Sequence, residues 1–313
     1  MNNKIKIDTH KWWRDVNGGP SRRIPRQFFN KEDYENFEFT SNDPDFTIVF
    51  GRTDWSQIKT PKERTFYFSQ EPLFSRNEPK DEIHNYCSRI FIADKSAYPD
   101  RNEYIEVLMP MFYAGRDEAS KNPNHNWSYL NKDIHYEKSK NTSMVVSKIL
   151  LDHFPSTDSC KIIYKLRVSL AQKLADAYGV DVFGARWEPD GKHMKGHIET
   201  KHSALDEYRF SVACENSIQK NYISEKFWDP IITETVPIYL GCKNIKNYIP
   251  EDSFINLPTD SIDEMTNVIK EVINNHESLY KKYRPKILDL KKEFYSNPKF
   301  NLWQKIKLEI KDS

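Results

Sequence analysis

The feature that most limits how this chain can fold is an alternation of short apolar runs with polar connections and amphipathic segments, repeated in both halves. In the first half KIKID (4–8), DFTIVFG (45–51), RTFYFSQ (64–70), SRIFIAD (88–94) and YIEVLMP (104–110) are rich in Ile, Val, Phe and Tyr and bounded by turn residues, which predicts strands. Several are nearly continuous in apolar character, as expected of strands covered on both faces of an α/β sheet.

From Tyr113 to Asn141 the pattern collapses into a polar, Asn-rich stretch that reads as a linker or loop. SMVVSKIL (143–150) then predicts another strand. KIIYKLRVSLAQKLADAY (161–178) predicts a helix, with Ile163, Leu166, Leu170, Leu174 and Ala177 on one face and Gly179 at its stop. VDVFG (180–184), YRFSVACEN (208–216) and TVPIYLG (235–241) predict three more strands, and 261–275, 277–295 and 302–311 predict helices. IVFGRTDW (48–55) and VDVFGARW (180–187) echo each other, each a strand ending in Phe-Gly. Strand-helix-strand alternation in both halves implies parallel sheets with helices on both faces, with ligands at the carboxyl ends of the strands. The expected division is 1–137, completed by the C-terminal helix 296–313, and 138–295.

Charged residues reach 30% of the 313 but leave a formal net charge of +1, which argues against a protein built mainly to grip nucleic acid. Cys87, Cys160, Cys214 and Cys242 are scattered without a C-x-x-C pair, and read as reduced thiols of an intracellular protein. No apolar run approaches the ~20 residues of a membrane span, and MNNKIKIDTHKWW lacks the apolar core of a signal peptide. A cytoplasmic location is expected, with the sequons at Asn126 and Asn141 there by chance.

The chemistry concentrates in CENSIQKNYISEKFWDP (214–230). A buried strand ends at Glu215-Asn216-Ser217, and a helix is expected to start near Ser224, a good N-cap, with Glu225 in the first turn. Backbone N–H groups at a helix start attract phosphate, and Lys226 adds a positive charge there. Tyr222 could offer a flat face to a base or sugar, and Glu225 could accept paired hydrogen bonds from a ribose diol. The inventory suits a nucleoside diphosphate. It also suits two ordinary surface charges beside a core tyrosine.

The same segment resembles the donor-binding motif of the α-1,3-fucosyltransferases, glycosyltransferase family 10. Tyr208-Arg209-Phe210-Ser211-Val212-Ala213-Cys214-Glu215-Asn216-Ser217 is followed by Tyr222-Ile223-Ser224-Glu225-Lys226, then by Val236-Pro237-Ile238, Gly241 and Pro250-Glu251-Asp252-Ser253-Phe254-Ile255. The likeness is strong from about residue 143 to 260 and faint before it. It implies an α/β GT-B fold, two Rossmann-like domains facing across a cleft, with the donor held by the second. It implies an inverting transferase of L-fucose from GDP-fucose to a glycan, with no cofactor and no metal held by a D-x-D motif. It places the donor contacts on Arg167, Asn216, Tyr222, Glu225 and Lys226, and the base on Glu71, which follows the strand 64–70, with Glu78 as fallback. Two departures are visible: Glu234-Thr235 where a small residue often precedes the Val-Pro, and Pro230 inside the expected helix, which should kink it or delay its start.

Other candidates are weaker. Asp43-Pro-Asp45 has the look of a metal-binding D-x-D but reads as a turn before a strand. His193, His197 and His202 lie in a polar loop with nothing nearby to complete a zinc site. Arg22, Arg23 and Arg26 could touch an acceptor or phosphate, or sit in a solvated loop. Lys281, Lys282, Arg284, Lys286, Lys291 and Lys292 could face a duplex, which keeps open a second reading: another nucleotide sugar, such as an arabinose donor, used on modified phage DNA. A third reading is a GT-B scaffold that binds without turnover.

Overall fold

In the computed structural model the described residues are 4–11, 35–51, 53–69, 82–108, 137–148, 160–199, 201–258, 261–300 and 302–313. In chain order they form β1 (Ile5–Lys11), β2 (Phe37–Phe39), β3 (Phe46–Phe50), β4 (Thr65–Phe68), α1 (Ile83–Tyr86), β5 (Arg89–Ile92) and β6 (Tyr104–Glu106). There follow β7 (Lys140–Val145), α2 (Cys160–Tyr178), β8 (Asp181–Phe183), β9 (Met194–Gly196), α3 (His202–Leu205) and β10 (Tyr208–Cys214). The last elements are α4 (Glu225–Ile232), β11 (Val236–Leu240), β12 (Ile255–Asn256), α5 (Ile262–Asn274), α6 (His276–Ser296) and α7 (Leu302–Lys311). The chain divides into two compact units, Met1–Met109 with Asn297–Ser313, and Pro110–Ser296.

The first unit is a parallel sheet in the order β2-β1-β3-β4-β5-β6. Every residue of β3 and β4 is buried, the outcome expected of nearly continuous apolar runs. Helix α7 joins this unit through buried Ile306 and Ile310 and a 2.5 Å ion pair from Arg89 of β5 to Glu309. Asp43-Pro44-Asp45 is a turn: Asp43 has φ 50°, and the Asp45 carboxylate accepts a hydrogen bond from the Lys6 N–H at 2.8 Å.

The second unit is also a parallel sheet, ordered β12-β11-β10-β7-β8-β9. Read from the β9 edge, the strands run third, second, first, fourth, fifth, sixth, the arrangement of doubly wound dinucleotide-binding sheets. The strand order reverses between β7 and β10, so the crevice outside the carboxyl ends of those two strands is where such a sheet binds its ligand.

Three local expectations are corrected. β7 spans Lys140–Val145 and so takes in Lys140 and Asn141, which the sequence assigns to the linker. Lys140 pairs with Tyr208 in register and with the Glu207 carboxylate at 2.7 Å, and this cross-strand ion pair extends a polar strand end that carries no apolar signal. Ala177 is exposed; the buried stripe of α2 is Arg167, Leu170, Ala171, Leu174 and Ala175. Helix α4 starts at Glu225 despite Pro230 and ends two residues beyond it. The proline removes a hydrogen bond to the Lys226 carbonyl, and a helix of eight residues accommodates that loss by stopping early. No helix among the described residues is long and apolar enough to cross a membrane.

Candidate functional site

The crevice at the reversal of the second sheet is built from the end of β10 and the start of α4. Ser224 caps α4, its hydroxyl accepting from the Lys226 N–H, and Glu225 occupies the first turn. The apolar side of α4 anchors it: Phe227 packs edge-on against Tyr239 of β11 at 5.0 Å, and Trp228 lies 4.3 Å from Phe294 of α6. The charged residues at its start are therefore held at a fixed height above the sheet. Between them and the strand ends is a cavity of about 20 Å³ lined by Val145 of β7, Cys214 of β10, Lys201, Glu225, Lys226 and Asp229, among others.

Arg167 stands out by where it is. It takes a position on the buried stripe of α2 that Leu or Ala fills elsewhere, and is 6% exposed. A buried guanidinium normally meets a carboxylate. Arg167 forms no ion pair with a described carboxylate, and its Nε finds no hydrogen-bond partner among the described residues. Its guanidinium carbon lies 5.5 Å from the Tyr164 ring centre, which offers only partial compensation. Its charge acts on Cys214 at the end of β10, opposing the burial that pushes that thiol up to about 12. Two residues after Cys214, Asn216 donates from Nδ2 to the Tyr164 hydroxyl at 3.4 Å, while its buried Oδ1 also lacks a partner among the described residues.

Glu215, the residue between Cys214 and Asn216, is the buried tie of the loop. Its carboxylate accepts from the Ser224 N–H at 2.7 Å, the Ser224 hydroxyl at 2.5 Å and the Tyr239 hydroxyl at 3.3 Å. Burial raises its pKa, against the opposing pull of Lys226 and the Ser224 bonds. Lys226 Nζ lies 3.7 Å from Glu215 and 3.1 Å from Glu225. Burial disfavours the Glu225 anion, but Lys226 and Lys201 outweigh it and hold that carboxyl well below the usual range. Gly241 is required beneath: a Cβ there would fall 2.3 Å from Glu215 Cγ and 2.5 Å from the Tyr239 hydroxyl.

The sequence-derived residues thus separate into groups. Glu225 and Lys226 sit together at the start of α4, while Arg167 of α2 acts on the end of β10 and Asn216 lies just past it, each with an unmet polar atom. Tyr222 is 2% exposed, so its ring belongs to the core and is no open platform for a base. The loop through IQKN turns back at Asn221, φ 57°, which carries the following tyrosine inward. Glu71, Glu78, Arg22, Arg23 and Arg26 lie outside the described residues. The motif did not disclose Lys201, whose Nζ is 3.5 Å from Glu225 and 2.6 Å from Asp229. Asp229 lies one helical turn after Glu225 on α4.

Several of the remaining candidates are engaged elsewhere. His193 Nδ1 faces Asp181 at 3.0 Å and His202 Nδ1 faces Asp206 at 3.0 Å. On α6, Arg284 and Lys291 reach Glu234 at 3.0 and 3.5 Å, and Lys286 reaches Asp252 at 3.1 Å. Half of the basic cluster considered as a duplex-facing surface is thereby committed to intramolecular ion pairs, and a nucleic-acid acceptor has no support from it. Glu234, the departure before Val236, is buried at φ 59° as the partner that docks α6.

The sequence profile of Glycosyltransferase family 10 (fucosyltransferase), C-term, matches residues 136–300, more than half of the chain. The 4-galactosyl-N-acetylglucosaminide 3-alpha-L-fucosyltransferase 9 of Mus musculus is 38% identical over 141 residues, which cover 37% of this chain and 38% of the mouse protein. The chain therefore spans well under half the length of that curated relative. Among solved structures, an alpha1,3-fucosyltransferase with GDP superposes with a TM-score of 0.52 at 18% identity, covering 94% of this chain and 91% of the other. The DNA-modifying enzyme beta-glucosyltransferase does so with a TM-score of 0.54 at 12% identity, covering 98% and 99%. At such identities the structural likeness is one of fold, GT-B.

Proposed function

The chain belongs to glycosyltransferase family 10, the fucosyltransferases, and we propose that it transfers L-fucose from GDP-fucose to a hydroxyl of a glycan, with inversion at the anomeric carbon. The observation that carries this reading is Arg167, a buried cation without a carboxylate among the described residues, beside the end of β10. A diphosphate would supply the counter-charge that the described residues leave unmet. The relatives support the donor: the curated one is named a fucosyltransferase, and one structural neighbour is described with GDP.

Inverting transfer needs a base for the acceptor proton and cations for the charge that grows on the departing GDP. Arg167 and Lys226 take the second task; preorganised donors of this kind are each worth roughly 10²–10³ in rate. Glu225 accepts from the ribose diol, Asn216 contributes its unmet amide oxygen, and Tyr222 supports the loop from within the core. Glu71 is the proposed base, a role worth about 10²–10⁴. The chemistry assigned to these residues calls for no bound metal.

A thermal-shift screen of nucleotide sugars, followed by anomeric NMR of the product, tests the proposal. GDP-fucose should stabilise the protein by RT ln(1 + [L]/Kd) and give an inverted fucoside. Stabilisation by uridine donors with none from GDP-fucose overturns it. Glu71→Gln should keep GDP binding and lose transfer; full activity in that variant overturns the base assignment alone.

A further inference from the structure

We infer that Lys201 is a positioning residue of the donor site, holding the Glu225 carboxylate so that Lys226 can turn to the incoming diphosphate. The inference rests on the donor reading above.

Lys201 reaches the site from the head of α3, on the far side of β10 in the chain. It completes a row of charges that alternate in sign: Glu215, Lys226, Glu225, Lys201 and Asp229, separated by 3.7, 3.1, 3.5 and 2.6 Å. The side chains of Glu225 and Asp229 are 13% and 1% exposed, and Lys201 is 23% exposed. Glu225 and Asp229 are one helical turn apart on α4, where like charges repel. Lys201 lies between them and borders the same small cavity as Lys226 and Cys214.

In this arrangement Lys226 is divided between two carboxylates. A diphosphate at the end of β10 competes for it, and the more Lys226 turns outward the less it serves Glu225. The groups that then face Glu225 are Glu215 from the strand end, Asp229 from its own helix and Lys201 from α3. With Lys201 present, the carboxylate stays ionised and aimed. Without it, three carboxylates share one departing lysine, and protonation of Glu225 removes an acceptor for the ribose diol.

The test is isothermal titration of GDP into wild type, Lys201→Met, Lys201→Arg and Asp229→Asn, between roughly pH 3 and 7.5, a window that reaches below the ordinary carboxylate range. Lys201→Met should weaken GDP about ten-fold, the loss of one charge-assisted contact. It should also move the acid limb of binding to higher pH. Lys201→Arg should restore most of both. Asp229→Asn, which leaves Lys201 to Glu225 alone, should move the limb to lower pH. A lower melting temperature in Lys201→Met with an unshifted pH profile overturns the inference, because that is what a packing role gives. Should Lys201→Met fail to fold, an unshifted or raised limb in Asp229→Asn overturns it equally. Wild type that binds no GDP at any pH overturns the donor reading itself, and the inference with it.

Discussion

Replacing Arg167 by methionine should move stability and binding in opposite directions. The side chain sits on the buried stripe of α2 with its Nε unmet among the described residues. An unsatisfied buried polar group costs about 1–3 kcal/mol. The contact with Tyr164 at 5.5 Å returns roughly 0.5–2 kcal/mol. The remainder, about 1 kcal/mol, is what Arg167→Met should add to the stability of the ligand-free protein, since methionine fills the same space without a charge. For a unit of this size that is a rise of roughly 2–4 °C in melting temperature. The same variant loses a charge-assisted contact to diphosphate of about 1.5–3 kcal/mol, so the Kd for GDP should rise roughly 10–150-fold. Differential scanning fluorimetry with and without GDP reads both effects in one experiment. A lower melting temperature together with unchanged GDP affinity would refute the reasoning, because it would make the guanidinium an ordinary structural group.

Three further outcomes follow from the loop and its cap. Gly241→Ala forces a Cβ to within 2.3 Å of Glu215 Cγ, whose oxygens are held by Ser224 and Tyr239, and should destabilise by about 1–3 kcal/mol in urea unfolding. Ser224→Ala removes both the cap of α4 and a donor to buried Glu215, and should lower stability by about 1–2 kcal/mol in the same assay. Glu225 titrates below its ordinary 4.5, so its ionised form contributes stability above that pH, and the contribution is lost as pH falls towards the depressed folded value. The stability gap between wild type and Glu225→Gln should therefore be widest near neutrality and shrink on acidification; a gap that grows in acid contradicts the assignment.

Much of this architecture could be read from the chain because its main elements carry strong patterns. β3, β4 and β11 are nearly continuous apolar runs, and they are buried throughout. The start of α4 was legible because a capping serine and a first-turn glutamate are local signals. The edge strands β2, β9 and β12 were not, since two or three residues such as Ile255–Asn256 are too few to show a period. Within the site, residue identity was more legible than side-chain direction. Tyr222 could face ligand or core, and only the turn at Asn221 decides for the core. Arg167 lay among the apolar positions of a helical stripe, yet nothing local showed that it would be buried without a carboxylate among the described residues. Lys201 was out of reach for a different reason: it meets Asp229 across 28 residues of chain, and only the crossover that brings α3 beside α4 puts them together.

We propose that the end of β10 and the start of α4 form a diphosphate site. A crystal structure of the protein with GDP tests it most directly. The diphosphate is expected at the reversal between β7 and β10, with Arg167 and Lys226 both within hydrogen-bonding distance of its oxygens and Lys226 turned away from Glu215. Ordered GDP bound elsewhere, with none of its oxygens near the Arg167 guanidinium, would contradict it.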